Sequence, residues 1–160
     1  MSKIVWLMCG VPGSGKSYFA KNVLMGDPHD WVYISRDDVR YSLVNEDEPY
    51  FSKENEVFDH FIHSINFNLG LEGINNIIVD ATHLNTSSRM KVLNRLRFVG
   101  DAHVIAVWVK TPLDICQARN KCRKGRECVP ENVIQKMWNS RIHPKNDGYD
   151  YTGIMEVSGV

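Results

Sequence analysis

Eight consecutive residues constrain this chain more than any other feature. Gly10, Val11, Pro12, Gly13, Ser14, Gly15, Lys16 and Ser17 read G-x-x-x-x-G-K-S directly after the apolar run Ile4 to Cys9. A strand feeding a glycine-rich turn that opens a helix is the setting in which this spacing wraps a polyphosphate. Gly10, Gly13 and Gly15 let the backbone come close, and consecutive N–H groups, that of Ser14 among them, point inward. The helix beginning near Lys16 adds its positive dipole end. Lys16 is expected to reach the β- and γ-phosphates and Ser17 to ligate Mg²⁺, so ATP and Mg²⁺ are the expected cofactors.

Such a start also selects a fold class. Strand-length apolar runs recur at Ile4–Cys9, Trp31–Ile34, Ile77–Val79 and Val104–Val109, and weakly at Ile154–Val157. Amphipathic stretches lie between them, at Lys16–Met25, Arg36–Leu43, Lys53–Leu71, Ser87–Phe98, Leu113–Arg123 and Pro130–Asn139. Ser52 and Thr86 read as caps of their helices, and prolines open the last two. Strands alternating with helices call for right-handed crossovers and buried parallel strands. The expectation is α/β: one P-loop NTPase-type domain over 1–160, with roughly five mostly parallel strands, helices on both faces and a basic lid at about 117–130.

Composition narrows the partners. Lys plus Arg and Asp plus Glu are 19 each, so the chain has no overall pull on a polyanion, and any such ligand must meet a local patch. The 4 cysteines form no Cys-x-x-Cys pair, and the 6 histidines have no metal-ligand spacing with them. A reducing cytoplasmic setting without structural metal is expected, with no membrane partner, since Ile4–Cys9 is far too short to cross a bilayer.

A metal-linked carboxylate is expected from a neighbouring strand, and Asp80 ends the run Ile77–Val79. The same aspartate could simply cap the next turn. Past the second strand, Ser35 as N-cap with Asp38 at N3 makes a capping box, which leaves Asp37 as the spare carboxylate. Asp37 and Arg40 share a helix face at the carboxyl end of a strand, where open α/β sheets bind ligands. They could be a general base beside an anion-gripping guanidinium, or only a surface ion pair. The stretch Arg119 to Arg126 places 5 cations in 8 residues without an acid. Arg119 and Arg123 on one helix face could meet transferring phosphates from a lid, or could simply favour a helix C-terminus. Tyr50 and Phe51 could stack an acceptor base, although anchoring the next helix to the core is the expected role.

Four elements together, G-V-P-G-S-G-K-S, S-R-D-D-V-R, V-D-A-T-H-L-N and R-N-K-C-R-K-G-R-E-C-V-P, resemble the kinase domain of the bacteriophage-type 5′-hydroxyl polynucleotide kinases, within the P-loop kinase group. The resemblance spans Ile4 to about Asp150. It implies transfer of the γ-phosphate of ATP to the 5′-hydroxyl of DNA or RNA. In that scheme Lys16 and Ser17 bind ATP and Mg²⁺, Asp37 is the general base and Arg40 holds the acceptor's neighbouring phosphate. A lid arginine stabilises the transferring group: Arg123 by choice, Lys124 or Arg126 otherwise, with Arg119 and Arg126 also on the nucleotide. Asp80 serves Mg²⁺ and lines the substrate site. His83 stands where the family commonly has Asn at its acceptor contact, and Tyr18 where these loops usually carry Ser or Thr. No D-x-D-G-T phosphatase signature occurs, so kinase chemistry alone is expected. The alternatives are a P-loop kinase of a nucleoside, nucleotide or other small metabolite, and a nucleotide-binding regulatory module that would not need Asp37.

Overall fold

The apolar run nearest the start forms the central strand of a sheet. In a computed structural model, which describes residues 2–158, β1 (Lys3–Cys9) lies between β3 (Asn76–Asp80) and β4 (Ala102–Val109). β2 (Trp31–Ser35) and β5 (Gly153–Val157) are the edges, giving the order β2-β3-β1-β4-β5 with every pairing parallel. A strand covered on both faces has no reason to alternate apolar with polar residues, which is why these segments read as continuous runs. On one face Val5, Leu7, Ile77, Val79 and Val104 pack with Phe58, Phe61 and Ile65 from α3 (Glu54–Leu69) and with Val92 and Leu93 from α4 (Thr86–Leu93). On the other face Met8, Ile78 and Val107 meet Ala20 and its neighbours, which follow α1 (Lys16–Phe19). The result is a single α/β domain, completed by α2 (Arg36–Leu43), α5 (Leu113–Lys121) and α6 (Glu131–Asn139). Among the described residues no helix is long and apolar enough to cross a membrane.

Several local expectations need correction. The helix expected over Lys16–Met25 is α-helical only to Phe19 and then widens to a π-helix over Ala20–Leu24, closed by the Met25 N–H on the Ala20 carbonyl at 2.9 Å. Ser52 does not cap α3: its N–H closes a turn onto Pro49, and Lys53 is the residue before the helix, without a side-chain cap. Thr86 lies inside α4. Asn85 caps it instead, accepting from the Ser88 N–H at 2.9 Å while the Ser88 hydroxyl takes the Asn85 N–H, a reciprocal box with Ser in place of Glu. α4 also ends at Leu93, and residues 94–96 continue as tight turns.

Candidate active site

Parallel strands bring all their carboxyl ends to one edge, and the expected site residues converge there. The loop from Gly10 to Gly15 turns through left-handed conformations at Gly13 (φ 81°) and Gly15 (φ 89°). A Cβ on Gly13 would come within 2.5 Å of the Cys116 carbonyl oxygen, so α5 packs against the loop's outer side and holds it in shape. The Gly10 N–H donates to the Thr82 carbonyl at 2.9 Å and the Thr111 hydroxyl to the Ser14 carbonyl at 2.5 Å, fixing the loop to the exits of β3 and β4.

Asp80 ends β3 directly under this loop and is 2% exposed. Its Oδ2 accepts from the Ser17 hydroxyl at 2.6 Å and from the Tyr33 hydroxyl, and its Oδ1 lies 3.4 Å from Lys16 Nζ. Burial alone would raise the Asp80 pKa, but the Lys16 charge and the two hydroxyls outweigh it and hold the carboxyl below the usual range. Burial and the same carboxylate push the Tyr33 phenol upward, so Tyr33 stays a donor. Oδ1 is buried without a hydrogen-bond partner. A hydroxyl and a carboxylate side by side, one carboxylate oxygen facing only the Lys16 charge, make a hard-oxygen donor set that fits Mg²⁺. The turn-capping reading of Asp80 loses its motive, since these contacts point its oxygens to the loop and β2.

The end of β2 carries the second group. The Ser35 hydroxyl accepts from the Asp38 N–H at 3.3 Å, which is one half of the expected capping box. Asp37 is thereby left outward, its side chain 59% exposed. Arg40, one turn on, is 6% exposed. Its Nη1 donates to Asp37 Oδ1 at 2.5 Å, while Nε and Nη2 grip Glu54 Oε1 and Oε2 at 2.7 and 3.0 Å. Burial works against the Arg40 charge, and Glu54 with Tyr50 overcomes it, raising the guanidinium further above its ordinary value. Glu54 is held low by the same pairing, with Arg36 adding to it. The Tyr50 hydroxyl donates to Asp37 Oδ1 at 2.9 Å. Tyr50 is thus part of the carboxylate's setting, and Phe51, 57% exposed, is not the core anchor expected of it.

His83 is buried at the exit of β3 with φ 42°, an unusual backbone for a residue with a Cβ. Its carbonyl accepts from Arg89 Nη1 at 2.8 Å, and Arg89 pairs with Asp147 at 2.6 Å with both side chains fully buried. Its Nδ1 lies 2.7 Å from the Met8 carbonyl and therefore donates, while Nε2 is buried without a partner. Burial lowers the ring's pKa to about 4, so it is neutral at physiological pH.

The basic stretch expected as a lid lines one side of the cleft, through Arg123 and Arg126. α5 ends at Lys121, and the Asn120 side chain closes the lid's neck by bonding both the N–H and the carbonyl of Val129, at 2.9 and 2.5 Å. Arg119 Nη1 reaches the Gly13 carbonyl at 3.4 Å. Arg123 lines the cleft below, and Arg126 is turned to the wall formed by α2 and the loop after it. One cleft of ≈ 430 Å³ is lined by Lys16, Ser17, Asp37, Arg40, His83, Arg123 and Arg126 together. Glu54 and Tyr33 are contributors that sequence reasoning missed, and the bond of Tyr50 to Asp37 is a role it did not foresee. Each acts through tertiary pairing with a residue on another element, and no local spacing announces it.

Comparison with known proteins bears on the family and the fold. A family model described as an AAA domain, AAA_33, matches residues 5–143. A protein of Acanthamoeba polyphaga mimivirus named as a bifunctional polynucleotide phosphatase/kinase is 28% identical over 119 residues, 73% of this chain and 23% of its own length. The L-seryl-tRNA(Sec) kinase of Methanococcus maripaludis is 28% identical over 138 residues, 82% of this chain and 50% of its own. The chain therefore spans half or less of the length of these relatives. A chain of the Pnkp1/Rnl/Hen1 RNA repair complex shares the fold, with a TM-score of 0.67 at 22% identity over 86% of this chain and 43% of that one. With a matched model over most of its length, the chain belongs to the AAA_33 family.

Proposed function

We propose that this protein transfers the γ-phosphoryl group of ATP to the 5′-hydroxyl of a polynucleotide. One observation carries the reading: the outward carboxylate of Asp37 and the P-loop residues Lys16 and Ser17 line the same cleft, with Arg40 beside Asp37 and Arg123 above. A kinase needs a base for the acceptor hydroxyl and cations for the phosphates, and the lining of this cleft supports assigning those parts to Asp37 and to Lys16 and Arg123. Both contacts to Asp37 fall on Oδ1, which leaves Oδ2 for the acceptor hydroxyl. In the reaction the acceptor oxygen forms a bond to the γ-phosphorus as the bond to the bridging oxygen breaks. The proton passes to Asp37, and ADP leaves with the electron pair. Lys16 and Arg123 stabilise charge on the transferring group. Arg40, already neutralised by Glu54, orients Asp37 and offers its remaining N–H to a phosphate on the acceptor. Mg²⁺, held by Ser17 and Asp80, would neutralise charge on the β- and γ-phosphate oxygens. The exposed thiols of Cys122 and Cys128 fit a reducing, cytoplasmic setting.

The polynucleotide acceptor draws support from the mimivirus relative and the four motifs together. A zero net charge favours a second reading, a small hydroxyl acceptor, because long polyanion tracks are usually basic. Transfer from γ-labelled ATP to 5′-hydroxyl DNA and RNA oligonucleotides, free nucleosides and sugars separates the two. Labelling of oligonucleotides in preference to nucleosides is expected. Labelling of nucleosides or sugars alone would replace the proposed acceptor by the second.

A further inference from the structure

Arg126 belongs to the lid by sequence, yet its guanidinium is docked on the opposite wall. Nη1 donates to the carbonyls of Val44 and Asn45 at 3.1 and 3.2 Å. Val44 is the C-cap that follows α2, so the cation sits just past the negative end of that helix. The same guanidinium lies 5.2 Å from the ring centre of Tyr41 and 5.8 Å from that of Tyr50. Tyr50 in turn packs on Tyr41 and Phe51, at 5.7 and 4.9 Å between ring centres, and its hydroxyl bonds Asp37 at 2.9 Å. A run of direct contacts therefore leads from the lid tip through one tyrosine to the carboxylate. At its other end Arg119 on the Gly13 carbonyl at 3.4 Å ties the lid to the phosphate loop, and the clamp of Asn120 on Val129 closes the lid's neck. Gly125, at φ 61° in open space, supplies the bend that aims Arg126 across the cleft.

We infer that Arg126 is a positioning residue that locks the lid to the acceptor wall, so that nucleotide bound beneath the lid orders residues 41–52 and, through Tyr50, the Asp37 carboxylate. The inference rests on the reading of Asp37 as the acceptor-side base, and does not depend on which hydroxyl is phosphorylated. Two sites that bias one shared element must be coupled, and the coupling is measurable on either side.

Hydrogen–deuterium exchange with Mg²⁺ and the β,γ-imido analogue of ATP tests this without any acceptor. In the unmodified protein the analogue should slow exchange in the phosphate loop and also, by about fivefold or more, in residues 41–52. In Arg126→Ala the analogue should still bind and protect the phosphate loop, while residues 41–52 no longer respond. Arg126→Lys keeps the charge but cannot span two carbonyls and two rings, and should behave like the alanine variant. Persistence of the 41–52 response in either variant would overturn the inference, as would its absence in the unmodified protein. Loss of analogue binding in Arg126→Ala would also overturn it, by placing this arginine on the phosphates. A mistaken base assignment would show separately, as undiminished transfer by Asp37→Asn, with the exchange result unaffected.

Discussion

Replacing Glu54 by Gln tests whether the buried arginine beside Asp37 depends on a residue from another helix. Glu54 receives two hydrogen bonds from Arg40, at 2.7 and 3.0 Å, and one from Arg36 at 3.2 Å. Breaking a fully buried ion pair costs about 3–5 kcal/mol, because an uncompensated charge stays inside. Glu54 keeps about a third of its side chain in solvent, Asp37 still faces Arg40, and the amide oxygen can accept one of the lost bonds. The loss at pH 7 should therefore be about 2 kcal/mol, near the value of a hydrogen bond to a charged group. For a domain of this size that lowers the unfolding midpoint by about 4–8 °C. Glu54 is held below its unfolded pKa, so its contribution is present above that value and fades as pH falls through the folded one. The gap between the two proteins should narrow steadily as the solution is acidified below the ordinary glutamate range. Thermal unfolding by circular dichroism from pH 7 down to pH 3 measures it. A variant as stable as the parent at pH 7, or a gap that does not narrow with acid, would refute the reasoning.

Other outcomes follow from the same contacts. Asp147→Asn leaves the fully buried Arg89 without its countercharge and should cost about 3–5 kcal/mol in chemical denaturation, disturbing the His83 backbone that Arg89 holds. His83 is buried neutral with its pKa lowered to about 4, so the unfolded chain binds the extra proton between about pH 6.5 and 4. The parent should lose stability relative to His83→Asn across that window, and a constant difference there would refute the buried neutral ring. Arg40→Ala should raise KM for a phosphate-bearing acceptor while KM for ATP stays near the parent value, in steady-state transfer assays. Ser17→Ala removes a hydroxyl from the Mg²⁺ donor set, and should raise the Mg²⁺ concentration needed for half-maximal transfer.

What the sequence discloses here is whatever rests on local order. The phosphate loop is legible because its function requires a fixed run of glycines between a strand and a helix. The inner strands β3, β1 and β4 are legible because burial on both faces makes them continuous in apolar residues, whereas the edge strand β5, interrupted by the exposed Glu156, reads only weakly. Asp37 stands out because Ser35 and Asp38 occupy the capping positions around it. The remainder depends on which elements meet. Glu54 lies 14 residues from Arg40, and only the packing of α3 against α2 brings them together. Arg126 reads as one cation among five, and its direction is set by the bend at Gly125 and by a helix end some eighty residues earlier. The widening of α1 into a π-helix and the early end of α4 also have no composition signal, since Lys16–Met25 and Ser87–Phe98 keep their apolar positions throughout.

Phosphate transfer by Asp37→Asn in a single turnover, with Mg²⁺ and ATP saturating, tests the central assignment most directly. Asn keeps the shape of Asp and an oxygen for Arg40 and Tyr50, but cannot take a proton. The rate should fall by about 10²–10⁴-fold, the usual contribution of a positioned base, while the affinity for the ATP analogue is retained. A rate close to that of the unmodified protein would contradict the assignment of Asp37 as the base.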